Sequence, residues 1–153
     1  MASLSDSYIY GRLFIDVPNA ALAIDGHTSM GLVIKCADGN LYTLRFYNSK
    51  PVFAIKAKPS LCSLTETVYT DVDGMVRGRK PYVGNDLQNI ELKAGVAYYV
   101  GDYLATFNAT ANYQTYTHTW VISDKRNDYL KTTQEMKLDF PNISMLPTID
   151  LSH

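Results

Sequence analysis

A chain of 153 residues with 46% apolar side chains closes one sizeable core and is short for two, so residues 1–153 read as a single domain. Fourteen basic against fifteen acidic side chains leave almost no net charge, which argues against a surface built to neutralise phosphates and so against nucleic acid as a partner. The longest apolar stretches, 19–24 and 31–34, fall far short of the roughly 20 residues of a membrane helix, and MASLSDSYIYG has neither the basic nor the apolar region of a signal peptide.

Twelve tyrosines, many threonines and repeated turn residues favour β structure. SYIYGRLFIDV (7–17) alternates, with Ile9, Leu13, Ile15 and Val17 on one parity and Tyr8, Tyr10, Arg12 and Phe14 on the other, the mark of a half-buried strand. MGLVIKC and LYTLRFYN flank Asp38-Gly39-Asn40, residues that tolerate positive φ, and predict a hairpin. VFAIKAKP (52–59) and SLCSLTETVYTD (60–71) are strands by period. DVDGMVRGRKPYVGND (71–86), rich in glycine and charge, predicts a long loop or an irregular hairpin. LQNIELKAG and VAYYVGDYLATFNA then predict a pair turning at Ala94-Gly95, and YQTYTHTWVIS (113–123) one more strand. Tyr98 and Tyr99, being adjacent, point to opposite faces of their strand, and Gly101 marks a bulge that re-aims the residues after it.

Only near the end does the period change. Ser123 or Asp124 can cap a helix whose face carries Tyr129, Thr133, Met136 and Phe140, with Lys125, Lys131 and Glu135 toward water, until Pro141 stops it. The expectation is an antiparallel β-sandwich of about seven to nine strands with one C-terminal amphipathic helix over about 124–138.

The chemistry-bearing residues are sparse. Asp71-Val72-Asp73-Gly74 opens like a calcium loop, but Met75 and Tyr82 stand where oxygen ligands are needed. Of the three histidines, His27 sits in a turn and His153 at the chain end, whereas His118 shares a strand face with Tyr116, Trp120 and Ile122 and reads as a half-buried, hydrogen-bonded residue. Glu66, Asp71, Asp73 and Glu91 are the carboxylates a dispersed hydrolase would have to gather. No catalytic or cofactor-binding signature is present, and no cofactor or metal is expected. Cys36 and Cys62, on predicted neighbouring strands, fit either a buried thiol pair or one disulfide. Tyr8, Tyr10, Tyr99 and Tyr103 are the candidates for a ligand or partner surface.

FAIKAKPSLCSLTET (53–67), IELKAGVAYYVGD (90–102) and the closing helix with LDFPNI (138–143) resemble small β-sandwich domains of bacterial envelope proteins and lipoproteins. The resemblance spans about residues 40 to 143. It implies a domain with no known catalytic residues to carry over, placed in the periplasm or at the outer membrane by a signal or lipid anchor lying outside this sequence, with a cytoplasmic address as the alternative. The functional expectation is a non-enzymatic domain that binds or assembles with another envelope protein or with itself, touching a membrane only through such an anchor. Its rivals are an aromatic module stacking tyrosines on carbohydrate and a hydrolase with dispersed carboxylates.

Overall fold

The computed structural model describes residues 4–16, 29–47, 51–70, 76–84, 86–111 and 116–152. They form a mainly β protein of two sheets and one C-terminal helix. The strands are β1 (Ser7–Asp16), β2 (Ser29–Cys36), β3 (Leu41–Tyr47), β4 (Val52–Ala57), β5 (Leu61–Thr70), β6 (Val76–Pro81), β7 (Ile90–Glu91), β8 (Ala97–Ala111), β9 (Tyr116–Arg126) and β10 (Thr148–Asp150). Helix α1 (Tyr129–Asp139) and a 3-10 turn at Pro141–Ile143 separate the last two. No helix among the described residues is long and apolar enough to cross a membrane.

The first sheet runs β10-β8-β1-β4, with β9 also on β8; the second runs β3-β2-β5-β6, with β7 also on β5. Period two sends Ile9, Leu13, Tyr98, Tyr103 and Ala105 from the first sheet and Met30, Leu32, Leu44, Phe46 and Leu64 from the second into one buried cluster. That cluster is closely filled, its residual apolar void amounting to about 20 Å³. The β2–β3 hairpin turns where expected: Gly39 takes φ 89°, and the Asn40 N–H donates to Asp38 Oδ1 at 3.0 Å. Cys36 and Cys62 are directly opposed partners on β2 and β5 and are joined by a disulfide, with Cα atoms 4.0 Å apart.

Three expectations need correction. The first sheet is mixed rather than antiparallel, because β8 runs parallel to both β1 and β10. Alternation along a strand reports which face is buried and is blind to the direction of its neighbour. Second, 87–95 and 96–109 do not pair as a hairpin: Ile90 and Glu91 join β5 in the other sheet. Leu87 and Leu92 are buried there, and their backbones bond to Leu64 and Ser60 of the β5 region, so Ala94-Gly95 hands the chain from one sheet to the other. Of the two alternatives for 71–86, the described residues favour the irregular hairpin: β6 pairs antiparallel with β5, with a register shift between Tyr69 and Thr70.

Third, α1 starts at Tyr129, five residues later than expected. Asp124 and Arg126 are still paired with Leu104 and Asp102 of β8, so Lys125 belongs to a strand. Asn127 Oδ1 accepts the Tyr129 N–H, and the Asp128 N–H is donated to the Tyr99 hydroxyl. The docking face is otherwise as read. Thr133 and Met136 are buried, with Tyr129 and Phe140 half-buried, against Tyr8, Tyr10, Tyr99 and Val52 on the outer face of the first sheet and Ile143 of the 3-10 turn. Lys131 faces water, while half-buried Glu135 receives Arg12 at 2.8 Å.

Candidate binding cleft

Between the sheets, one flank is drawn together and the other is open. On the first flank the Lys58 N–H, just past β4, donates to the Tyr42 hydroxyl of β3 at 3.0 Å. On the other, β6 ends the second sheet, β9 pairs with β8 alone among the described strands, and the gap between β6 and β9 is a depression of about 410 Å³. Its lining is mixed: Pro81, Tyr82, Val83, Tyr103, Val121 and Ile122 supply apolar surface, and Thr67, Lys80, Asp124 and Lys125 supply polar groups. Val83, 95% exposed, and Val121, 55% exposed, stand at its rim.

The head of the cleft is held by a clasp between the sheets. Asp86 accepts the Lys125 ammonium of β9 and the Tyr82 hydroxyl, the latter at 2.9 Å. Burial works to raise the Asp86 carboxyl, but these two donors prevail and hold it below its ordinary range. Burial, reinforced by the Asp86 charge, drives the Tyr82 phenol far above its usual value. The Lys125 ammonium also lies 5.7 Å from the centre of the Tyr103 ring. The Tyr103 hydroxyl donates to the Val100 carbonyl at 2.8 Å, and burial pushes that phenol strongly up as well. Asp124 accepts Arg126 Nε at 2.8 Å, which lowers its carboxyl. Asp86 and Asp124 therefore stay ionised, and Tyr82 and Tyr103 protonated, across the ordinary pH range. These groups are committed to one another, and what they offer a ligand is contact, stacking and hydrogen bonding.

Of the four tyrosines expected at a surface, none is exposed. Tyr8, Tyr10 and Tyr99 lie beneath α1, and Tyr103 belongs to the inter-sheet core with its edge toward the cleft. The physical reason is α1: the outward parity of β1 and β8 is aromatic because a helix packs on it. The Tyr10 hydroxyl meets Thr133 Oγ1 at 2.6 Å, and burial pushes its phenol up to about 12. Glu66 and Glu91 are not gathered, since Glu91 pairs with Leu61 of β5, five positions from Glu66, or about 17 Å along the strand. Asp71, Asp73, His27 and His153 lie outside the described residues, as does the side chain of His118, whose backbone pairs with Ala109. Sequence reasoning missed Tyr82, Asp86 and Lys125; the available signal was an aromatic and an acid set between Pro81 and the following strand in a charged loop.

Beneath α1 lies a second polar group. Asp102 accepts the Tyr99 hydroxyl at 2.6 Å and Thr132 Oγ1 at 2.7 Å, in register with Arg12 of β1 and Arg126 of β9. Burial raises its carboxyl above 3.8, outweighing the two hydroxyl donors and the nearby Arg12. Because the folded-state value is the higher, the native protein keeps this proton over a window in which the unfolded chain has released it. The Asp102 contribution to stability therefore declines as pH rises from about 3.8 to that raised value and is level above it. Asp102→Asn keeps an acceptor for both hydroxyls and removes the titration. The stability of wild type minus that of the variant, from urea unfolding at several pH values, is expected to fall through that window; a flat difference would reject the assignment.

Gly101 makes the bulge anticipated from sequence. Between Tyr10 and Arg12 of β1 the partners advance from Tyr99 to Asp102, one residue extra on β8, and Gly101 takes φ 128°. A Cβ there would stand 2.9 Å from Lys125 Cε in a conformation L residues rarely adopt. Gly101→Ala is expected to cost about 1–3 kcal/mol in denaturant unfolding.

Compared with known proteins, the chain matches no protein-family model, no curated protein and no solved structure.

Proposed function

We propose that this chain is a non-enzymatic β-sandwich domain of a bacterial cell-envelope protein, and that it works by holding a ligand or partner in the cleft between β6 and β9. The sandwich reading is supported by the single core to which both sheets contribute. The binding reading rests on one observation: a mixed depression of about 410 Å³, within the size range of ligand sites, whose Tyr82, Asp86 and Lys125 are already paired with one another. A general base works best with a pKa near the working pH, and Asp124 in the cleft and Asp86 in the clasp at its head are both held below their ordinary range.

Photo-crosslinking in a bacterial envelope tests the reading. A photoreactive side chain placed at Val83, on the cleft rim, is expected to give discrete adducts that the same group at Leu130, exposed on the far side of α1, does not give. Identical adducts from both positions, or none from Val83, would count against the cleft.

A further inference from the structure

We propose that the chain associates with a second copy of itself through the edge of β9 that no other described strand pairs with, the two strands pairing antiparallel about a two-fold axis. This goes beyond the cleft reading and rests on sheet topology instead.

An edge strand presents a row of backbone donors and acceptors to any similar edge, and proteins that stay apart blunt such edges with charge, proline or shortness. The other edges here are blunted. β6 carries Arg77, Arg79, Lys80 and Pro81 within six residues. β4 carries Lys56 and runs into Lys58 and Pro59, and β3 carries Arg45 and is tied to that same segment through Tyr42. β10 and β7 have three and two residues. β9 differs: from Tyr116 to Ser123 it has no Asp, Glu, Lys or Arg, no proline and no glycine, and among the described strands only β8 pairs with it.

The occupant follows from self-complementarity. An axis between Thr119 and Trp120 sets the run Tyr116–Ser123, which has no Asp, Glu, Lys or Arg, against itself and leaves Asp124, Lys125 and Arg126 beyond the paired segment. The near-zero net charge adds little long-range repulsion between copies. Beside this edge, the part of the outer face that α1 leaves uncovered carries Phe14 and Val121, each 55% exposed, and Leu104, which a continuous sheet from a second copy would flank.

Sedimentation equilibrium of the full chain, with no ligand added, tests the proposal. From low to high micromolar concentration the mass is expected to rise from one chain to two. A double variant, Thr117→Lys with Thr119→Lys, puts four like charges around the axis and should weaken association about 100-fold or more. A single-chain mass throughout the range, or a dimer indifferent to the substitutions, overturns the proposal. Should the variant fail to fold, hydrogen exchange on wild type decides: amides within Tyr116–Ser123 must gain protection as the dimer forms, and unchanged protection places the contact elsewhere. A second copy on β9 would also stand beside the cleft, whose lining includes Val121 and Ile122, so adducts at Val83 are told apart by mass: adducts between two copies bear on this contact, and adducts with another molecule bear on the cleft.

Discussion

Replacing Cys36 and Cys62 together by alanine is expected to lower the unfolding free energy by about 3.5 kcal/mol and the melting temperature by roughly 7–14 °C. The bond closes a loop of 26 positions. Loop-closure entropy for that length removes about 3.5 kcal/mol from the unfolded ensemble. Both side chains are buried in the inter-sheet core, so reduction of the native fold should be slow and the effect best read on the double variant. Alanine at both sites avoids a buried hydroxyl and leaves two small apolar groups between β2 and β5. Equal denaturation midpoints for wild type under oxidising conditions and for the double variant would mean that the bridge contributes no stability.

Met136→Ala is expected to lose about 3 kcal/mol, whereas Leu138→Ala on the same helix should leave stability nearly unchanged. Met136 has no exposed surface and packs among Tyr10, Tyr99 and Ile143. Removing a fully buried side chain of that size forfeits its transfer energy and leaves a cavity, typically costing about 2–5 kcal/mol. Leu138 is 81% exposed and has little burial to lose. Guanidinium melts of the two variants compare the helix faces directly. Similar losses at both positions would show that α1 is held differently.

Local pattern carried much of this structure in the sequence. β1, β4 and β5 follow from alternation, the 38–40 turn from residues that accept positive φ, and the β8 bulge from Gly101. What alternation cannot carry is partnership. A strand buried on one side looks the same beside a parallel or an antiparallel neighbour, which is why the β1–β8 pairing was illegible. The same ambiguity hid the outer tyrosines: an aromatic outward face reads equally as a binding platform or as the seat of a helix, and only the docking of α1 decides. Ser123 and Asp124, the caps expected from sequence, stay in β9 because β8 is long enough to keep 124–126 extended, and the helix begins only after Asp128. The clasp was beyond reach for another reason. Asp86 and Lys125 stand 39 positions apart and meet only once both sheets are packed.

The parallel seam between β1 and β8 also sets a clock on synthesis. β1 lies in the first sheet between β4 and β8, and Tyr8 finds its partner Ala97 only about 90 positions later in the chain. At about 5–20 residues per second, a ribosome leaves that side of β1 unpaired for roughly 4–18 s after the strand emerges. During that interval the chain can complete the β2–β3 hairpin and the antiparallel pairing of β2 with β5, but not the first sheet. The nascent chain thus passes through a stage in which the second sheet can form while β1 still lacks β8 beside it, and with β8 the Tyr98, Tyr103 and Ala105 side chains of the shared core, the stage at which a holding chaperone would do most for its yield.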